Sequence, residues 1–146
     1  MDKDDLQDGF RPTESSKEEE LERATRLRGF RHGIHDFKAD VDLPELRRNN
    51  DIVEQNYTHK ANSLIDRKTK EMLAIAINVA QGDLISHLQI HFHAAHKAGA
   101  SAEELYEMLF FLKPWIAFPR FVVGMEAWRS LFRPDLPTID RVTALE

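Results

Sequence analysis

The stretch from Asp66 to Ala100 limits what this chain can fold into more than any other. An almost unbroken apolar run, Met72 to Ala80, leads into Gly82-Asp83. A segment carrying His87, His91, His93 and His96 follows, closed by Gly99-Ala100. The apolar run is far shorter than the roughly 18–20 residues of a membrane span, and it lacks the two-residue alternation of a half-buried strand. The pattern predicts a helical hairpin: a buried helix, a tight turn and a histidine-bearing helix. Asp66 is placed to cap the first helix, and Arg67, Lys68, Lys70 and Glu71 make its early turns polar. From Met72 onward the helix is apolar on every face, which predicts burial all round. Gly82-Asp83 ends it and can cap the next.

The rest of the chain reads as helices placed around that hairpin. Ser16-Lys17-Glu18-Glu19 is a capping box, in which a Ser hydroxyl and the carboxylate three residues on satisfy each other's backbone N–H groups. It predicts a charged surface helix to about Leu27 or Gly29. Phe30, Ile34 and Phe37, with His32 and His35 between them, predict a short helix or irregular turn. Asp42-Leu43-Pro44 is a helix start, and the stripe Leu43, Leu46, Ile52, Val53 and Tyr57 carries that helix to about Gln55. Thr58 to Ser63 reads as a polar linker. Ser101-Ala102-Glu103-Glu104 is a second capping box, opening a helix with Leu105, Met108, Leu109 and Leu112 at helical spacing. A last long helix, Trp115 to Phe132, is predicted to be interrupted or kinked near Pro119. The expected architecture is all-α, a compact bundle of about six helices over residues 15–132, with a flexible arm (1–14) and a C-terminal tail (133–146).

Composition narrows the functions. The net charge is -5 and the basic residues are scattered among acids, so no stripe suited to nucleic acid exists. There is no cysteine, which removes disulfides, thiol catalysis and cysteine-held zinc together. The acidic start MDKDDLQDGF has no apolar segment of the signal-peptide kind. A cytoplasmic protein with no membrane association is expected. The apolar surface of the last three helices exceeds what a small monomer hides, which predicts a homo-oligomer.

At about 100° per residue, His87 and His91 stand one turn apart on the same face, while His93 and His96 point elsewhere. The i, i+4 pair suits a shared metal or a proton relay; His93 and His96 read as surface or structural histidines. Antiparallel packing across Gly82 would bring Glu71 near the far part of the histidine helix, where its carboxylate could orient a histidine. The competing reading is a solvated Glu near a helix N-terminus.

Four stretches make the chain resemble the carboxymuconolactone decarboxylase family, which includes the alkylhydroperoxidase D-like proteins: Asp66 to Glu71, His91 to Ala100, Ser101 to Leu105, and Ala117-Phe118-Pro119-Arg120. The resemblance runs from about Leu43 to Leu131. It implies a helical bundle built around a hairpin, assembled as trimers or hexamers with sites near subunit boundaries. In the family's peroxidase-like branch a Glu, a CxxC and a His form a redox relay. Glu71 and His91 match the Glu and the His, but the cysteine positions fall on Leu84 and His87, so that relay is excluded. The spacing from Glu71 to His91 is one residue longer than in the family, through Asp83. The decarboxylase branch also lacks CxxC and is the better likeness, including its arm before the core.

That branch implies removal of CO2 from a carboxylated muconolactone, without an organic cofactor, as a step of aromatic catabolism. By resemblance His91 is the general acid/base, His87 or Glu71 tunes it, and Arg120 and Arg67 bind carboxylates. Trp115, Phe118 and Phe121 suggest a substrate wall more apolar than the name-giving lactone needs. The leading expectation is therefore a lyase or related acid/base enzyme on a small carboxylated lactone or ring-cleavage product. Two alternatives stand beside it. A metal-dependent enzyme would use Glu71, His87 and His91 as a two-histidine, one-carboxylate site for zinc, iron or manganese. A non-catalytic helical oligomer would bury both histidines away from any pocket.

Overall fold

A computed structural model of the protein describes residues 15–58 and 64–144. The expected arm, most of the linker after Thr58 and the last two residues lie outside them. The described residues form seven α-helices and one 3₁₀ turn, with no strand among them: α1 Lys17–Arg28, α2 Gly33–Val41, α3 Leu43–Thr58, α4 Arg67–Gln81, α5 Ile85–Lys97, α6 Ala102–Leu112 and α7 Phe118–Phe132, the 3₁₀ turn being Lys113–Trp115. They divide into two packed units, one ending at Glu54 and one beginning at Gln55.

In the first unit, α1, α2 and the start of α3 close over Leu21, Ala24, Ala39 and Leu46. The Ser16 capping box is realised, with Glu19 N–H donating to the Ser16 hydroxyl and Ser16 N–H donating to the Glu19 carboxylate. Two histidines do the same job at the start of α2. The His32 N–H donates to Nδ1 of His35 at 3.2 Å, and the Ile34 N–H donates to Nδ1 of His32 at 3.4 Å. Beneath α1, Asn50 is fully buried and donates to the carboxylate (2.7 Å) and carbonyl (3.0 Å) of Glu20, while Arg28 donates to its side-chain oxygen at 2.6 Å. Those bonds offset the cost of burying an amide and a carboxylate without water.

The second unit contains the hairpin. Asp66 caps α4 through the Thr69 N–H at 2.7 Å. Gly82 ends it in the left-handed conformation, φ 85°, which a residue with a Cβ adopts at a cost. α5 then runs back against α4, and α6 and α7 complete a core of Ile75, Val79, Leu88, Phe92, Leu105, Leu109, Phe121 and Ala127. The second capping box also forms, between Ser101 and Glu104. The tail after α7 is non-helical and is drawn back onto it: Arg129 grips Glu126 with two bonds (2.8 and 2.7 Å) and donates to the Leu136 carbonyl at 2.6 Å, and the Ile139 N–H donates to Glu126 at 2.9 Å.

Three expectations change. α4 is not buried all round: Leu73 and Ile77 are about half exposed (49% and 54%), because only the stripe of Glu71, Ile75 and Val79 faces the core. Of the two outcomes expected near Pro119, interruption is the one found, and the long helix starts only at Phe118: Pro119 occupies the first turn of α7, where its missing N–H costs nothing, and the separate 3₁₀ turn precedes it. Asp83 does not cap α5, which starts at Ile85 with Leu84 at its N-cap and no side-chain cap.

Gly124 sits where α7 packs tightly against Val79 of α4 and Leu109 of α6. A Cβ there would lie 3.0 Å from both methyl groups of Val79 and 3.2 Å from a methyl of Leu109. Gly124→Val therefore overpacks α7 against α4 and α6, with an expected loss of about 1–3 kcal/mol in urea unfolding. A midpoint equal to wild type would show that the helices part freely here.

Candidate active site

Helical periodicity places Glu71 inside. Glu71, Ile75 and Val79 share one stripe of α4, so the carboxylate that could have been solvated is 1% exposed. Both of its oxygens are engaged. Arg67, one turn earlier, brings Nε (2.7 Å) and Nη2 (2.6 Å) to Oε1. Nδ1 of His91, reaching across from α5, lies 2.8 Å from Oε2. The Arg67 guanidinium in turn rests on the Tyr57 ring, 3.7 Å from its centroid. A buried carboxylate is tolerated because a cation and a hydrogen-bond donor replace the water it lost.

This geometry fixes a tautomer. An ionised carboxylate only accepts, so the proton of neutral His91 sits on Nδ1 and the basic lone pair on Nε2. The same polarity recurs one turn earlier on α5. Nδ1 of His87 is hydrogen-bonded to Oδ2 of Asp83, while Oδ1 of Asp83 accepts the Leu84 N–H at 2.7 Å. Burial pushes the Asp83 carboxyl up, but the His87 hydrogen bond, the Leu84 N–H and the charges of His87 and His91 outweigh it and hold the group below the usual carboxylate range. The two imidazoles meet edge to face, centroids 4.8 Å apart and planes at 81°. Arg67, Glu71, His91, His87 and Asp83 thus form one polar chain across the hairpin.

The structure brings together three residues the sequence singled out: Glu71, His87 and His91. Glu71 and His91 are in direct contact, and His87 joins them through its ring. It does not bring the others there. Arg120 donates from Nη1 to the Ala80 carbonyl and packs over Gly82, closing the carbonyl end of α4. Trp115 and Phe118 are 75% and 63% exposed, beside exposed Phe111. His93 is exposed, and His96 turns to the Ala100 carbonyl (2.8 Å) and the Phe132 ring. Among the described residues no group of three or more His, Asp or Glu side chains is disposed to hold a metal ion. A groove of about 560 Å³ runs along α4, walled by Tyr57, Leu64, Ile65, Lys70, Leu73 and Ile77. Its wall residue Tyr57 touches the polar chain at Arg67; among the described residues neither His91 nor His87 lines the groove.

Asp83 and the pairing of Arg67 with Glu71 were missed as site features. Both are i, i+4 pairs, Asp83 with His87 and Arg67 with Glu71, so the spacing carried the signal. It was masked because an Asp after a Gly reads first as a cap, and an Arg in a first turn reads first as solvated.

With this geometry in hand, comparison with known proteins adds one finding. The family model described as "Carboxymuconolactone decarboxylase family" matches residues 46–130, more than half of the chain. No curated protein and no solved structure matches the chain significantly.

Proposed function

The chain belongs to the carboxymuconolactone decarboxylase family, and from that premise we infer that it is an acid/base lyase which removes CO2 from a small carboxylated lactone or a related aromatic ring-cleavage product. One observation carries the reading: a buried glutamate whose two oxygens are held by Arg67 and by Nδ1 of His91. A carboxylate so placed has no room to act on substrate itself, but it orients a histidine. His91 then delivers through Nε2 the proton that quenches the carbanion left when CO2 departs. The electron pair of the broken C–C bond goes into the lactone carbonyl system and returns to take that proton. No metal or organic cofactor enters this scheme, and no CxxC peroxidase chemistry is open to a chain without cysteine.

Arg67 serves Glu71 rather than the substrate in this reading, and binding of the substrate carboxylate is left to a neighbouring subunit. The exposed row Phe110, Phe111, Trp115 and Phe118 supports assembly into a trimer or hexamer, since a soluble chain rarely leaves such a surface bare. Among the described residues no helix is long and apolar enough to cross a membrane; the cytoplasm is the proposed location.

The test is CO2 release from carboxymuconolactone and related carboxylated lactones by purified protein, with elemental analysis of the same sample. Release without stoichiometric metal supports the reading. Activity that needs a bound metal lost on His91→Ala would replace it with metal catalysis. A protein inert on the whole panel would be the non-catalytic oligomer.

A further inference from the structure

Away from the polar chain, α6, α7 and the tail enclose a cleft of about 460 Å³, walled by Ala102, Glu103, Tyr106, Trp128, Phe132 and Leu136. We propose that this cleft is a second binding site, for a small molecule carrying a quaternary ammonium group, which three aromatic rings and one carboxylate recognise. Helical spacing assembles it. Ala102, Glu103 and Tyr106 come from the first turns of α6, and Trp128 and Phe132 stand four residues apart on α7, one turn above the other. The Tyr106 and Trp128 ring centroids lie 5.1 Å apart with planes at 54°, and those of Trp128 and Phe132 lie 5.8 Å apart with planes at 45°. At such tilts the rings do not cover one another's faces as flat stacking would.

The walls are fixed before any ligand arrives. The Trp128 indole N–H donates to the Ala102 carbonyl at 2.8 Å, so its polar edge is already used and the indole offers a ligand π surface. Leu136 is held in place by Arg129, which donates to its carbonyl at 2.6 Å. A site of this kind loses little freedom on binding.

Charge decides which ligand fits. Arg133, also on the wall, is taken up by Asp135 through two bonds of 2.9 and 2.8 Å, and Arg129 by Glu126. Glu104 is paired with Lys68 at 2.6 Å, whereas Glu103 has no ion pair among the described residues. Its own backbone N–H and the Ser101 side chain hold the Glu103 carboxyl below the usual carboxylate range, so it is ionised at neutral pH. The start of α6 is a partial positive charge on the same wall, but its capping box and two acidic residues already answer it. The cleft is left with one uncompensated negative charge beside three aromatic rings. The chain supplies no cation of its own to them: among the described residues, cations stand over the rings of Tyr57, Phe110 and Phe121 instead. A quaternary ammonium spreads its charge over methyl groups and donates no hydrogen bonds. Aromatic faces and one carboxylate therefore meet its needs, where a primary ammonium would ask for three acceptors.

The probe is choline, set against its uncharged isostere 3,3-dimethylbutan-1-ol, titrated into the full chain at neutral pH and low salt. Calorimetry gives the affinities and ¹⁵N–¹H NMR the place. The chain has two tryptophans, and only Trp128 borders the cleft. Choline should move the Trp128 indole signal and leave that of Trp115 where it is. It should bind about fivefold or more tightly than the isostere, the scale of a cation over aromatic faces. Glu103→Gln should remove most of that preference without weakening the alcohol. Tyr106→Leu should weaken choline by a similar factor, while Tyr106→Phe, which keeps the ring, should bind as wild type does. Equal affinity for choline and the alcohol would overturn the proposal and leave a merely apolar cleft. A Trp128 signal unmoved by choline at about 50 mM, or wild-type affinity in both Glu103→Gln and Tyr106→Leu, would overturn it too. Phosphatidylcholine vesicles separate the two sources of the group: sedimentation that free choline reverses assigns it to a lipid headgroup, and choline binding without sedimentation assigns it to a free solute. Either result carries the site.

Discussion

His91→Ala is expected to lower the rate of CO2 release by about 10²–10⁴-fold, the range spanned by a positioned acid or base. Glu71→Gln should cost nearly as much, although it changes one atom. In wild type, Oε1 of Glu71 faces the Arg67 guanidinium and Oε2 faces Nδ1 of His91. Gln has only one oxygen to meet two donors. The cation claims it, because a charge-assisted bond is the stronger, and that turns the amide NH2 towards His91. An NH2 group facing Nδ1 demands a lone pair there. The imidazole proton then moves to Nε2, and the nitrogen that should exchange protons with substrate is in the wrong state. Both variants should retain wild-type circular dichroism. If Glu71→Gln kept more than about a third of wild-type kcat, the tautomer argument would be wrong and Glu71 would be a structural counter-charge for Arg67.

How much of this was legible depended on whether the cause was local. The caps at Ser16, Asp66 and Ser101 rest on bonds within one helical turn, and all three form as the residue types dictate. The hairpin was legible for the same reason, since the Gly82 stop lies between two runs of fixed period. The contact of Glu71 with His91 needed one further step, the antiparallel return of α5, and that too follows from a tight turn. What failed was choice among satisfiable alternatives. An Asp after a glycine can cap a helix or hold a histidine one turn on, and the residue type alone does not choose between them. A helix apolar on every face names no inward side, so the exposure of Leu73 and Ile77 depended on where α5, α6 and α7 settled. Arg120 looked like a substrate clamp because nothing in its sequence neighbours revealed the Ala80 carbonyl, forty residues away, that it caps.

The first unit should lose stability as the pH falls from about 6.5 towards 4, and His35 is the cause. Its ring is 8% exposed, stacks on Phe30 with centroids 6.0 Å apart, and accepts the His32 N–H on Nδ1. Burial, then the positive charges of Arg28, His32 and Lys38, push its pKa down to about 4 against a modest opposing pull from Asp36. The unfolded chain titrates this group near 6.5. Between those two values the unfolded state binds the extra proton and the native state does not, so stability rises with pH across the window. The contribution is fully present above about pH 6.5, is lost progressively on the way down to 4, and is constant below. At about 1.4 kcal/mol per unit it amounts to roughly 3 kcal/mol. Protonation also removes the acceptor at Nδ1, so the cap that starts α2 opens with it. Glu20, Asp36 and Glu45 have lowered pKa values and act with the same sign, but they lose their stabilisation only as carboxylates protonate, below about pH 4.5. The interval between pH 6.5 and 5 therefore isolates the histidine. Urea unfolding across that interval should show the midpoint falling in wild type and a much flatter dependence in His35→Gln, which keeps a side-chain oxygen for the His32 N–H. A His35 ring signal that titrates near 6.5 in the folded protein would refute the assignment, whatever the unfolding curves show.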